Sequence, residues 1–214
     1  IALRLDGLNL EGEISPSIGE LKHLKLLNLS SNYISGEIPP QLGNLSTLTT
    51  LDLSSNSVLN VKSLQWISRL RLLRYLDLSN ADLSKAMDWM AIVSNFRYLS
   101  VLRMDDCHLP TKIPSSHDYI NSSATLHSIS LSANNFSDSS ILLWLFNLPG
   151  IATQLVYLDL SENAFQGSIP KEFGNFHSLS YLSLSDNEFQ GSVILTITKL
   201  CRLEQLYLGG NKLL

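Results

Sequence analysis

Cysteine is almost missing from this 214-residue chain, with Cys107 and Cys201 the only two. So sparse a count argues against the dense disulfide framework that small secreted domains use in place of a large core. Charge is sparse too. Charged residues make up 16% of the chain, the formal net charge is −4, and no run of five like charges occurs. Those absences exclude an acidic or basic tail and the concentrated basic footprint of a nucleic-acid-binding protein. The most apolar run, Ile141-Leu142-Leu143-Trp144-Leu145-Phe146, meets Asn147, Pro149 and Gly150 directly afterwards. Crossing a bilayer takes about 20 apolar residues, so this run does not span one. No initiator Met and no leader of charged then apolar residues precedes Ile1. The chain is read as cut at both ends.

Catalytic groupings are missing as well. His23, His108, His117, His127 and His177 are scattered, and Cys107-His108 is the single close Cys/His pair. A zinc site needs a second such pair. No nucleophile elbow, phosphate loop or Ser/His/Asp grouping stands out. The reading is a non-enzyme without cofactor or metal.

What the sequence has in abundance is itself. Residues 24–32, Leu-Lys-Leu-Leu-Asn-Leu-Ser-Ser-Asn, fit the pattern L-x-x-L-x-L-x-x-N, and so do residues 48–56, 126–134, 155–163, 179–187 and 203–211. Residues 73–81 and 99–107 fit with Ala81 and Cys107 in the final place, and Leu3-Arg4-Leu5-Asp6-Gly7-Leu8 is a ninth copy lacking its start. Successive copies begin 24 to 29 residues apart, the period of leucine-rich repeats. The L-x-L segment is a short strand with alternate side chains inward. One strand cannot bury its apolar face alone, so neighbours stack into a parallel sheet over a continuous core. The asparagines stand where the chain leaves each strand, and a buried amide there both donates to and accepts from turn backbone. Cys107 offers only a weak S–H donor in that place, and Ala81 and Leu8 none, so those turns are expected to be looser.

Between strands the chain returns along the other side. Gly36-Glu37-Ile38-Pro39 and Gly167-Ser168-Ile169-Pro170 share G-x-I-P, with partial copies at Gly12-Glu13-Ile14, Gly191-Ser192-Val193 and Ile113-Pro114. Gly permits positive φ, Ile anchors the core, and Pro fixes the next turn. The middle returns lack the pattern. One places Ala86, Trp89, Met90, Val93 and Phe96 at helical spacing, with Ser84 as the expected N-cap. Asp138 is expected to cap a second helix running through Trp144 to Asn147. Both helices are read as core-facing on the convex side.

The G-x-I-P returns resemble the plant-specific class of extracellular leucine-rich repeats, in which the motif marks a second short strand. Leu64-Gln65-Trp66, Leu73-Arg74-Tyr75-Leu76-Asp77-Leu78-Ser79, Leu83-Ser84-Lys85-Ala86 with Asp88-Trp89, and Trp144-Leu145-Phe146-Asn147 extend the likeness to plant receptor-like proteins, especially the fungal-xylanase receptor group. The resemblance implies an α/β solenoid with a parallel concave β-sheet and a convex side of short strands, turns and a few helices. It implies one domain over residues 1–214, with about nine repeats. It also implies an extracellular, glycosylated, single-pass membrane protein of plant defence that binds a peptide or protein ligand and recruits a kinase-bearing co-receptor. Two alternatives share the repeat: a secreted inhibitor of fungal wall-degrading enzymes, and the ectodomain of a receptor kinase.

Candidate sites follow from the phasing. Asn28, Asn44, Asn121 and Asn135 head N-x-S/T sequons. The two cysteines, four repeats apart, are too distant to bridge at about 4.8 Å per strand. On the outward strand positions most repeats carry Asp or Ser. The exceptions are Val101, Arg103, Asp105 and Asp106, beside Tyr75 and Asp77, and further along Tyr157, Tyr181 and Tyr207 with Glu162 and Asp186. Tyr and Arg dominate binding energetics where they are buried in interfaces, so these positions are the expected ligand contacts. The competing reading makes Arg103 a surface ion-pair partner of Asp77 or Asp105, a contact contributing about 0–1 kcal/mol.

Overall fold

The computed structural model describes residues 1–111, 125–137 and 139–214. Asn121, His117, Ile113-Pro114 and Asp138 lie outside the described residues. Nine three-residue strands, Ala2–Arg4, Leu26–Asn28, Thr50–Asp52, Tyr75–Asp77, Val101–Arg103, Ser128–Ser130, Tyr157–Asp159, Tyr181–Ser183 and Gln205–Tyr207, form one sheet in chain order. All eight pairings are parallel and in register, so each central Leu or Ile faces the next one inside the core. Seven of these central residues, from Leu27 to Leu182, are buried. The repeat register read from L-x-L is therefore the register of the sheet.

The asparagines tie consecutive repeats together. Asn32 donates from Nδ2 to the carbonyls of Leu29 and Ser30 in its own turn and of Leu5 in the preceding one, at 2.8–3.1 Å. Its Oδ1 accepts from the Leu8 and Leu10 amides at 3.0 and 2.9 Å. Asn134 repeats the scheme, donating to the Met104, Leu131 and Ser132 carbonyls and accepting from the Cys107 and Leu109 amides. Cys107 copies the donor half: its Sγ donates to the Leu78 carbonyl at 3.2 Å and the Asp105 carbonyl at 3.4 Å. Burial holds the thiol above its ordinary pKa, so it keeps the proton that it donates. Ala81, equally buried, supplies no side-chain rung.

The convex side changes along the chain. Strands Glu11–Glu13, Tyr33–Glu37 and Val58–Asn60 form a second sheet at one end, and Gln166–Gly167, Glu188–Gly191 and Lys212–Leu213 form another at the far end. The G-x-I-P glycines lie within these strands, with φ of 85° at Gly36 and 82° at Gly167, a region in which a Cβ is strained. Val58–Asn60 joins the second sheet without a glycine, pairing with Ser35, Gly36 and Glu37. Three 3-10 turns, Pro16–Glu20, Pro40–Asn44 and Ile67–Arg69, follow the first strands. They approach closely enough that a Cβ on Gly43 would lie 2.5 Å from the Trp66 carbonyl oxygen.

The middle returns are helical, as Trp89–Ser94 and Ser140–Asn147. The first helix begins later than its spacing implies. Ser84 does not cap it: a separate turn closes from Leu83 to Ala86 first, and Asp88 holds the N-cap position. The expected apolar stripe faces the core: Ala86, Trp89, Met90, Val93 and Phe96 are all buried. Trp89 stands at the head of a column of rings, with centroids 6.5 Å to Phe136, 6.1 Å on to Phe165 and 5.9 Å on to Phe189. Trp144 meets Trp89 edge-on at 5.2 Å. Both indole N–H groups are satisfied, Trp89 by the Pro110 carbonyl at 3.1 Å and Trp144 by Ser94 Oγ at 2.9 Å. Cys107 and Cys201 are free, the one buried and the other exposed.

Candidate functional site

The parallel register sorts the outward side chains of the concave sheet into columns. In one column Tyr75 is followed by Val101, Ser128, Tyr157 and Tyr181. In the next, Asp77 is followed by Arg103, Ser130, Asp159 and Ser183, and ends at Tyr207. The expected tyrosine group therefore spans two columns but still makes contact. Tyr157 and Tyr181 stack at 4.2 Å between centroids, and Tyr207 reaches diagonally to Tyr181 at 5.3 Å.

The aspartates of these columns are occupied from within the protein. Asp77 accepts from the Ser79 amide at 3.0 Å and from the Tyr75 hydroxyl at 3.2 Å. Burial lifts its carboxyl above the ordinary carboxylate range despite those bonds. Burial and the neighbouring Asp77 push the Tyr75 phenol up to about 12, so it remains a donor at neutral pH. Tyr157, beside Asp159, is shifted upward for the same two reasons, burial first. Asp105 accepts on one oxygen from Ser130 Oγ at 2.7 Å, the Ser132 amide at 2.8 Å and Ser132 Oγ at 3.0 Å. It clamps one repeat to the next, so its departure from the repeat consensus has a structural purpose. Asp106 is exposed in a left-handed turn, φ 50°, where its carboxylate accepts from Asn80 Nδ2 at 3.4 Å.

Arg103 behaves differently from the ion-pair reading. Among the described residues the salt bridges are Lys62–Glu37 and Lys212–Glu188, neither of them on this sheet. The Asp77 and Asp105 carboxylates are held by serine and tyrosine donors instead. Arg103 Nε is buried and has no acceptor among the described residues. Its strand lies between that of Tyr75 and those of the Tyr157–Tyr181–Tyr207 cluster, and its positive charge acts on both Tyr75 and Tyr157. An unpaired buried N–H is costly, on the order of 1–3 kcal/mol. The fork of donors that a guanidinium presents suits a carboxylate or a peptide carbonyl.

Of the sequon asparagines, Asn44 and Asn135 are exposed, the first at the end of a 3-10 turn and the second just beyond the Asn134 rung. Asn28 is half-buried on the concave face and its Oδ1 accepts from the Ser30 amide at 2.9 Å. No group of three or more His, Cys, Asp or Glu side chains suited to a metal occurs among the described residues.

Comparison with known proteins agrees with the architecture. Two family profiles described as leucine-rich repeat match residues 22–83, and residues 154–176 and 178–200. The chain is 38% identical over 163 residues to receptor-like protein EIX1 of Solanum lycopersicum, covering 76% of this chain and 15% of that one. To receptor-like protein EIX2 of the same plant it is 39% identical over 214 residues, covering 78% and 18%. It thus spans less than a fifth of the length of these relatives. Among solved structures, a TDR receptor superposes with TM-score 0.79 at 28% identity, over all of this chain and 35% of that one. The PEPR1–AtPEP1 complex superposes with TM-score 0.76 at 31% identity, over 96% and 27%. The resemblance to plant receptor-like proteins drawn from the sequence motifs is borne out.

Proposed function

Because this chain belongs to the leucine-rich-repeat family, we propose that it forms part of the ligand-binding surface of a plant cell-surface receptor acting in defence. The ligand is a peptide or protein segment laid across the concave sheet. The parent protein is anchored by one membrane helix, displays these repeats outside the cell, and signals through a kinase-bearing co-receptor. The observation that carries the reading is Arg103. A guanidinium whose buried Nε has no partner among the described residues, flanked by Tyr75 on one side and the Tyr157–Tyr181–Tyr207 cluster on the other, is stabilised by an acceptor brought from outside. Aromatic surfaces next to a desolvated arginine are the composition of interface hot spots.

Asp105 is assigned a different part, since its three accepted bonds join repeats. Exposed Asn44 and Asn135 are the sites at which glycans leave the concave face free. The test is single substitution in the full-length receptor, with ligand binding and cell-surface abundance measured together. Arg103→Ala and Tyr181→Ala are expected to weaken binding at unchanged abundance, and Asp105→Ala to lower abundance. Wild-type binding by both Arg103→Ala and Tyr181→Ala at normal abundance removes this surface from the ligand site.

A further inference from the structure

The flank of the solenoid, where each return feeds into the next concave strand, carries a charge pattern unlike the rest of the molecule. The segments leading into the second to fifth strands are residues 21–25, 45–49, 70–74 and 95–100. They contain Lys22, Lys25, Arg71, Arg74 and Arg97 and no acidic residue. None of these five cations forms an ion pair among the described residues, although the chain as a whole is acidic, with formal net charge −4.

A pocket of about 370 Å³ opens within this flank, lined by Ser68, Arg71 and Leu72 from one repeat and by Phe96, Arg97 and Tyr98, among others, from the next. It lies where the returns change from the Ile67–Arg69 turn to the bulkier Trp89–Ser94 helix. Its wall is apolar. Leu72 and Tyr98 remain 45% and 38% exposed, and the Arg74 guanidinium stands 5.6 Å from the Tyr98 ring centroid, holding that ring at the rim. Side chains of this kind are usually covered when they are clustered rather than scattered.

The geometry points to a second docking site, separate from the concave surface. Its occupant is an acidic segment of a partner protein that inserts one bulky apolar side chain between Arg71 and Arg97. The apolar wall selects against a purely ionic polymer, which has nothing to place in the pocket. The reach of the cations selects against a small acid. Four strands at about 4.8 Å spacing spread them over roughly 15 Å, which a peptide bearing several carboxylates follows and a single carboxylate does not.

The probe is a fluorescein-labelled 12-residue peptide centred on Glu-Glu-Phe-Glu-Glu, titrated by anisotropy into the intact protein. Saturable binding is expected, at least tenfold weaker when the peptide's Phe is replaced by Ala and weaker again as salt rises. Charge reversal of the pocket, Arg71→Glu with Arg97→Glu, is expected to abolish binding, Arg97→Lys to retain most of it, and Arg103→Ala on the concave face to leave it unchanged. If the reversed protein melts at a lower temperature, Arg97→Gln alone takes its place. The proposal is overturned by no saturable binding, by equal affinity for the Ala peptide, or by indifference to Arg71 and Arg97. It is equally overturned if anionic lipid vesicles or polygalacturonate bind there as well as the Phe peptide does.

Discussion

The two ends of the solenoid and its middle solve the same problem with different materials. At the ends, the returns become strands and pair with one another, over aliphatic anchors such as Ile38 and Leu59 at the first end and over the buried rings of Phe165 and Phe189 at the far one. In the middle, no second sheet forms among the described residues. Helices occupy the convex side, and Trp89, Phe136 and Trp144 fill the greater depth behind the concave strands. Backbone pairing of the returns supplements the core at the ends, and helices packed on rings take its place in the middle. The repeat thus constrains only the concave half. The return is free to vary so long as it buries enough and satisfies its own polar groups.

Four measurements sharpen or break this contrast, each by chemical denaturation followed by circular dichroism. Trp89→Ala removes the head of the ring column and the partner of Trp144, and is expected to cost about 3–5 kcal/mol. A loss under 1 kcal/mol would show that the middle is not held by its rings. Gly43→Ala drives a Cβ against the Trp66 carbonyl and, as an overpacking change between two backbones, is expected to cost about 1–3 kcal/mol. Tolerance of it would show that the stacked turns slide. Ser94→Ala leaves the buried Trp144 indole N–H without its acceptor, an expected loss of about 1–2 kcal/mol, nearer the lower figure if the indole finds another partner. Smallest is the pair Lys62–Glu37, 3.0 Å apart and well exposed at the edge of the second sheet, where Lys62 follows its last strand. A double-mutant cycle is expected to give about 0–1 kcal/mol, fading with added salt. A larger coupling would mean that the end sheets depend on charge as well as on backbone pairing.

The sequence reads unevenly across these regions. The concave strands, their register and the asparagine rungs were legible because each rests on a residue type at a fixed spacing. The helical middle was legible as apolar spacing, but not its start, since a separate turn from Leu83 to Ala86 precedes the helix. Val58–Asn60 carries no glycine to announce a strand and forms one by pairing with its neighbour. At the candidate site the residue types were legible and their partners were not. That Arg103 Nε has no partner among the described residues follows from Ser130 and Ser132 of the next repeat taking the Asp105 carboxylate, and from Tyr75 and the Ser79 amide taking that of Asp77. The flank pocket depends on residues 68–72 meeting residues 92–98, a juxtaposition set by the differing bulk of two consecutive returns.

The asparagine rungs also bear on how such a chain finds its fold. Each rung joins a turn to the one before it, across separations such as the 22 residues from Ile34 to Asn56 and the 32 from Leu131 to Asn163. Adding a repeat adds rungs of the same span and no longer ones, so relative contact order falls as the molecule grows. A receptor that lengthens its recognition surface by whole repeats therefore leaves the loop-closure cost of each step unchanged. Folding proceeds outward from any repeat pair that forms first, one turn joining its neighbour at a time.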